Sequence, residues 1–338
     1  MPYFKELADL CAMSDNYHQP ATGGTGLDSI IAGSGDAIRY TDGKGNTATP
    51  PANEIENPNP QSGTNNYYPQ DGYSGGSYSA CADASQPGVG QVVSYLQALP
   101  REIAPNCDPT RYYLLNNYDP GYFGDGSVET TDTFAIPPVP TRSIGNVLLD
   151  AHVSFAWFGA GWDQYKANPQ DPTNVCCNIC NPFQYQTSTM TNATVRNTVI
   201  QDTKALYTDL QAGVLPAVVF VKPGGLNDGH PASSKYDMFK AFTRKILTAL
   251  QAHPDLWRST TVFITTDEAG GYWDSGYIQP LDFFGDGPRI SLLAVSPYSR
   301  GGHVAHSYTD HVSILKFIEA NWAYARYPVA AATTCRTR

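Results

Sequence analysis

The chain has 338 residues, of which 41% are apolar and 15% charged, enough for one large α/β domain or two ordinary ones and too apolar for disorder throughout. A net charge of −10 argues against a general nucleic-acid binder, although a phosphate substrate stays open because a bound cation can set the local field. No apolar run reaches the roughly 18 residues of a membrane-spanning helix.

The first residues, MPYFKELADL, lack the basic start and apolar stretch of a signal peptide. Usage of 22 Tyr and 26 Pro nevertheless looks like that of an exported protein, and seven Cys is an odd count, which raises the question of which one does not belong. Apolar residues at Phe4, Leu7, Leu10 and Cys11 predict a helix from Pro2 to Ser14. Next comes ATGGTGLDSIIAGSG, where Gly23, Gly24 and Gly26 bracket Thr25 ahead of a second helix. A hydroxyl at a glycine-lined helix start suits a nucleophile, because free backbone N–H groups there stabilise phosphate oxygens; it also suits a simple N-cap.

Residues 39–88 are poor in apolar side chains and rich in Gly, Pro, Asn and Tyr, and read as a long loop excursion whose tyrosines could wall a pocket. A short helix is expected over Val89–Leu99, another over Ser143–His152, and a strand from Val153 to Phe158 after it. Cys176, Cys177 and Cys180 fit neither zinc spacing nor a thioredoxin-like context, and read as structural cysteines near a site rim, with disulfides possible. Asn192–Gly213 has one apolar helical face closed by glycine. The strand that follows has no polar residue from Ala217 to Val221, which predicts a central place in a sheet. It ends in a loop carrying His230, and an amphipathic helix over Lys235–Trp257 leads onward.

The strand Thr261–Thr265 then ends on adjacent carboxylates, Asp267 and Glu268, ahead of Gly270 and Gly271. Acids at the C-terminal edge of a buried strand lie where open α/β sheets place their sites. Hard oxygen donors suit Mg, Ca or Mn, or a mixed-ligand Zn or Fe site. A last strand, Ile290–Val295, leads to a loop with His303 and His306, and His311 opens the helix DHVSILKFIEANW behind Asp310. His306 is expected at the pocket, against substrate, and His311 behind it as a structural group.

LPAVVFVKPGGLNDGHPASS, DEAGGYWD and GPRISLLAVSPYSRGGHVAHSYTDHVSILKFIEANW together resemble, in order, the bacterial phosphoesterase family of phosphatidylcholine-type phospholipases C and acid phosphatases. The resemblance runs from Met1 to about Trp322 and implies one α/β/α domain over residues 1–322, of alkaline-phosphatase-like fold with a mainly parallel sheet. It implies that Thr25, in GGTGLD, attacks phosphorus, although Asp28 stands where the family has Asn. Asp267 and Glu268, with Thr25, would ligate a divalent metal ion, and His230 would steady the phosphoryl group or protonate the leaving alcohol. The implied partner is a small-molecule or phospholipid phosphate ester, and family members are usually exported.

Both ends depart from the family. Its first strand, with a Glu-Asn-x-Ser-Phe-Asp motif that completes the metal site, precedes the point at which Met1 falls, so an N-terminally truncated domain is expected. Glu56 and Asn57 are not that motif. Relatives continue past Asn-Trp with a tail like GLRPLSGRSRDNLPNP, and a one-base deletion in a coding of that string yields AYARYPVAAATTCRTR, residues 323–338 here. That tail is expected to be out of frame, with Cys335 the odd thiol. The alternative to an active hydrolase is a catalytically impaired fragment that at most binds a ligand.

Overall fold

The computed structural model describes residues 2–55, 76–86, 88–101, 103–270, 274 and 281–322. Glu56, Asn57 and the rest of 56–75 in the tyrosine-rich excursion, Gly271 and the tail with Cys335 lie outside the described residues.

Two sheets carry the site. The larger is built from β1 (Ala12–His18), β5 (Val262–Ile264), β6 (Arg289–Val295), β7 (His303–Ala305) and β8 (Thr309–Asp310). Its order is β7-β1-β6-β5, with β8 also pairing β1. The smaller contains β2 (Phe155–Gly159), β3 (Ile200–Asp202) and β4 (Val218–Lys222), in the order β3-β2-β4. The smaller sheet is all parallel, whereas in the larger one β6 runs against both β1 and β5.

Helices cover both faces, giving an α/β architecture with mixed and parallel sheets. On one side α1 (Pro2–Leu10), α6 (Thr203–Ala212) and α7 (Tyr236–Gln251) share a core with both sheets. Leu7, Leu206, Leu210, Phe239, Leu247 and Leu250 pack there with Phe158 of β2, Ile264 of β5 and Leu293 of β6. On the other side lie α2 (Thr25–Ser34), α3 (Val89–Ala98), α4 (Ile144–Asp150), α5 (Ala193–Val199) and α8 (His311–Asn321). Leu315 and Ile318 of α8 pack with Phe155 and Trp157, while Val312 of the same helix packs with Leu27 and Ile31 of α2. Helix α8 thus fixes α2, and Thr25 with it, over the sheets.

Several elements differ from expectation for physical reasons. The first helix stops at Leu10, and Ala12–His18 becomes a strand despite Ser14, Asp15 and Asn16. Ladders on both sides, to β6 and to β7 and β8, outweigh local propensity, and a bulge between Ser14 and Tyr17 absorbs the polar pair. The helix expected over Asn192–Gly213 divides into α5 and α6, because Ile200–Asp202 pairs with β2 and Asp202 then caps α6. Gly213, at φ 69°, ends α6 in the left-handed conformation.

The strand expected at a sheet centre, β4, pairs with β2 alone among the described residues, and Val219, Phe220 and Val221 are only half-buried. Its unbroken apolar run reflects the helix layers on its two faces, not a partner on each edge. Strand β5 likewise pairs only with β6 among the described residues. In the excursion, Tyr78 is fully buried and packs edge-on against Tyr40 and Tyr118, in a core cluster instead of a pocket wall.

Candidate active site

Helix α2 begins at Thr25 because Gly24 is extended (φ −97°, ψ 177°) and offers no side-chain cap. Part of the capping comes from elsewhere: the Gly26 N–H donates to Asn117 Oδ1 at 2.6 Å. Gly24 must lack a side chain, since a Cβ there would fall 2.3 Å from Asn116 Oδ1 and 2.7 Å from Asn117 Oδ1.

Thr25 is nearly buried, and its hydroxyl donates to Glu268 Oε1 at 3.0 Å. The Asp267-Glu268 turn leaves the end of β5 and is tied to the run-up to α2. Gln19 accepts from the Ala269 N–H at 2.9 Å and donates to the Ala21 carbonyl at 2.8 Å. Buried His311 fixes the same turn from behind, with Nε2 2.9 Å from the Asp267 carbonyl and Nδ1 2.6 Å from the Tyr17 hydroxyl. Since a carbonyl only accepts, Nε2 carries the proton and Nδ1 accepts from tyrosine. Burial lowers the His311 pKa and raises that of Tyr17, which keeps both groups neutral.

Thr25, His230, Asp267 and Glu268, scattered in sequence, line one cleft of about 800 Å³. Lys222, at the end of β4, and Arg289 also line it, as do Asn116, Asn117 and Cys176, Cys177 and Cys180. His230 Nδ1 accepts from the Ala232 N–H at 3.2 Å, which leaves the ring proton on Nε2. Burial first, then the Asp267 charge, raises the Glu268 pKa; the Thr25 hydrogen bond, His230 and Lys222 pull it back. Asp28, fully buried on the first turn of α2, is held well above the usual carboxylate range by burial and then by Glu268 and Asp267.

His306, expected against substrate, is not among the residues lining the cleft. Its side chain is 77% exposed and pairs with Asp15 at 2.8 Å, because β7 runs beside β1 and carries it to the β1 bulge. The cysteines behave structurally: Cys81 bonds Cys107 and Cys177 bonds Cys180, with Cys11 and Cys176 free. Burial, then Asp202, pushes the Cys176 thiol up to about 12, which makes it a poor nucleophile.

Sequence reasoning missed Lys222, Asn116 and Asn117. A lysine closing an otherwise apolar strand was the available signal for the first. Nothing in YYLLNNY marks the asparagines, which reach Gly24 and Gly26 at the start of α2 only through tertiary packing. As for a metal, Asp267, Glu268 and the Thr25 hydroxyl are hard oxygen donors but fall short of the roughly six that such an ion takes. Among the described residues no group of three or more His, Cys, Asp or Glu is placed to share an ion, so the described donors do not complete a metal site.

The model of the Phosphoesterase family matches residues 1–324, and the chain belongs to that family. It is 28% identical over 277 residues to a non-hemolytic phospholipase C of Burkholderia pseudomallei, covering 68% of this chain and 38% of that protein. It is 25% identical over 248 residues to the hemolytic phospholipase C of Pseudomonas aeruginosa, covering 64% and 33%. Phospholipase C B of Mycobacterium tuberculosis is 30% identical over 141 residues, 34% of this chain and 26% of that one. The chain thus spans well under half the length of these relatives. A crystal structure of an alkaline phosphatase superfamily protein from Vibrio parahaemolyticus superposes with a TM-score of 0.41 at 10% identity, over 97% of this chain and 62% of that one.

Proposed function

We propose that the chain is a phosphoesterase of the phospholipase C or acid phosphatase type, hydrolysing phosphate esters through Thr25. The observation that carries this is the Thr25 hydroxyl, set at the start of α2 and hydrogen-bonded to Glu268 inside a cleft that also holds His230 and Lys222. Thr25 Oγ1 attacks phosphorus while Glu268 Oε1, already its hydrogen-bond partner, takes the hydroxyl proton; burial makes that carboxylate a better base. The phosphorus–oxygen bond to the alcohol breaks, and His230 Nε2–H protonates the departing alkoxide. Water then releases phosphate from the threonine. Lys222 and the positive end of the α2 dipole act on the anionic phosphoryl group.

A divalent cation held by Asp267 and Glu268, with further donors from outside the described residues, would add charge neutralisation; its identity among Ca, Mg, Zn, Mn and Fe stays open. Two disulfides support an exported protein, since they persist in oxidising compartments. The short donor set favours a second reading, a ligand-binding protein without turnover. Hydrolysis of p-nitrophenyl phosphate and p-nitrophenylphosphorylcholine with and without added Mn²⁺ or Ca²⁺ separates the two. Turnover abolished by Thr25→Ala supports the hydrolase, and phosphate binding without any turnover supports the binder.

A further inference from the structure

Asn116 is 3% exposed, and neither its Oδ1 nor its Nδ2 has a hydrogen-bond partner. A buried amide with both ends unmatched is costly, and folded chains rarely keep one without a reason. The neighbouring Asn117 shows the contrast, its Oδ1 being committed to the Gly26 N–H. Asn116 lines the cleft beside Thr25, and the bare Cα of Gly24 is what lets its amide approach the start of α2.

We propose that Asn116 is a phosphoryl-binding residue, whose Nδ2 donates to a non-bridging oxygen of the ester as Thr25 attacks. A donor held dry and unpaired before the ligand arrives needs little reorganisation when negative charge builds on that oxygen. The assignment rests on Thr25 as nucleophile for the moment of its action, but binding of the anion itself does not require the hydroxyl.

Inorganic phosphate is therefore the probe, read as the rise in melting temperature it gives the wild-type chain and the Asn116→Ala, Asn116→Asp, Asn117→Ala and Thr25→Ala variants. Phosphate should protect the wild type and Thr25→Ala, and protect neither Asn116 variant. Without phosphate, Asn116→Ala should melt no lower than wild type, since it deletes two unsatisfied atoms, whereas Asn117→Ala should melt lower for loss of a cap. Where turnover is measured, Asn116→Ala should lower kcat/KM by about a hundredfold, the usual effect of losing one such donor. Full phosphate protection of Asn116→Ala overturns the proposal, as does a wild type that phosphate does not protect. So does an Asn116→Ala variant that melts well below wild type, which would mark a structural role. Undiminished turnover by Thr25→Ala would instead remove the nucleophile and leave the phosphate result to judge Asn116.

Discussion

The Thr25 hydroxyl and Glu268 Oε1 lie 3.0 Å apart although 243 positions separate them in the chain. One sits on the first residue of a helix and the other just past the end of a strand, and α8 packs against the elements of both. That single hydrogen bond joins a nucleophile-type hydroxyl to a carboxylate with a raised proton affinity.

Thr25→Ala should lower kcat on p-nitrophenyl phosphate by at least about a thousandfold, roughly 4 kcal/mol of lost transition-state stabilisation. Its effect on stability should be slight, because only one hydrogen bond goes with the hydroxyl. Steady-state kinetics beside a thermal melt checks both, and a variant with wild-type kcat would remove Thr25 from the chemistry.

Adjacent carboxylates in a partly buried turn repel one another, and a cation between them relieves the repulsion. Mn²⁺ or Ca²⁺ at neutral pH should therefore raise the melting temperature of the wild type, and EDTA should reverse the rise. The double variant Asp267→Asn with Glu268→Gln should show little of it. Equal shifts in both proteins would move cation binding elsewhere.

Two further acids predict a pH dependence of stability. Burial raises Asp282 to about 7 and Asp286 to about 8, Asp286 standing between the Tyr308 hydroxyl and the His18 ring. Both hold their protons more tightly folded than unfolded. Stability is then greatest below the ordinary carboxylate range near 4 and is lost as pH rises through about 7 and about 8. Each group contributes a slope of up to about 1.4 kcal/mol per pH unit across that interval. Urea titrations from pH 4 to pH 8.5 should show the fall, and Asp282→Asn or Asp286→Asn should flatten it; an unchanged slope in both variants would discount burial as the cause.

The disulfides should differ in worth. Cys81–Cys107 closes a separation of 26 residues around α3, and Cys177–Cys180 one of 3. On chain entropy the first contributes about 3–4 kcal/mol and the second about 2 kcal/mol at most. Denaturant unfolding of the paired serine variants measures both, and a larger loss at Cys177–Cys180 would show that cleft-wall packing outweighs loop length.

Much of this site was legible because strand ends and glycine-rich turns announce themselves locally. Asp267 and Glu268 follow a β-branched run, and Thr25 stands among glycines ahead of an apolar helix face. The illegible parts depend on pairing partners. Ala12–His18 has no strand-like pattern of its own, and its pairing on both edges is what carries His306 out to Asp15. Asn116 likewise owes its place to a close approach that only the absent Cβ of Gly24 permits.

The single ladder of β4 also has a consequence for motion. Val218 N–H donates toward β2, to the Ser154 carbonyl at 3.0 Å, so alternation directs the Val219 and Val221 amides away from it. Among the described residues no strand meets that outer row. Native-state deuterium uptake along this strand should therefore read as a comb, slow at Phe220 and fast at Val219 and Val221. The Phe158 amide, in a strand paired on both sides, should be among the last to exchange.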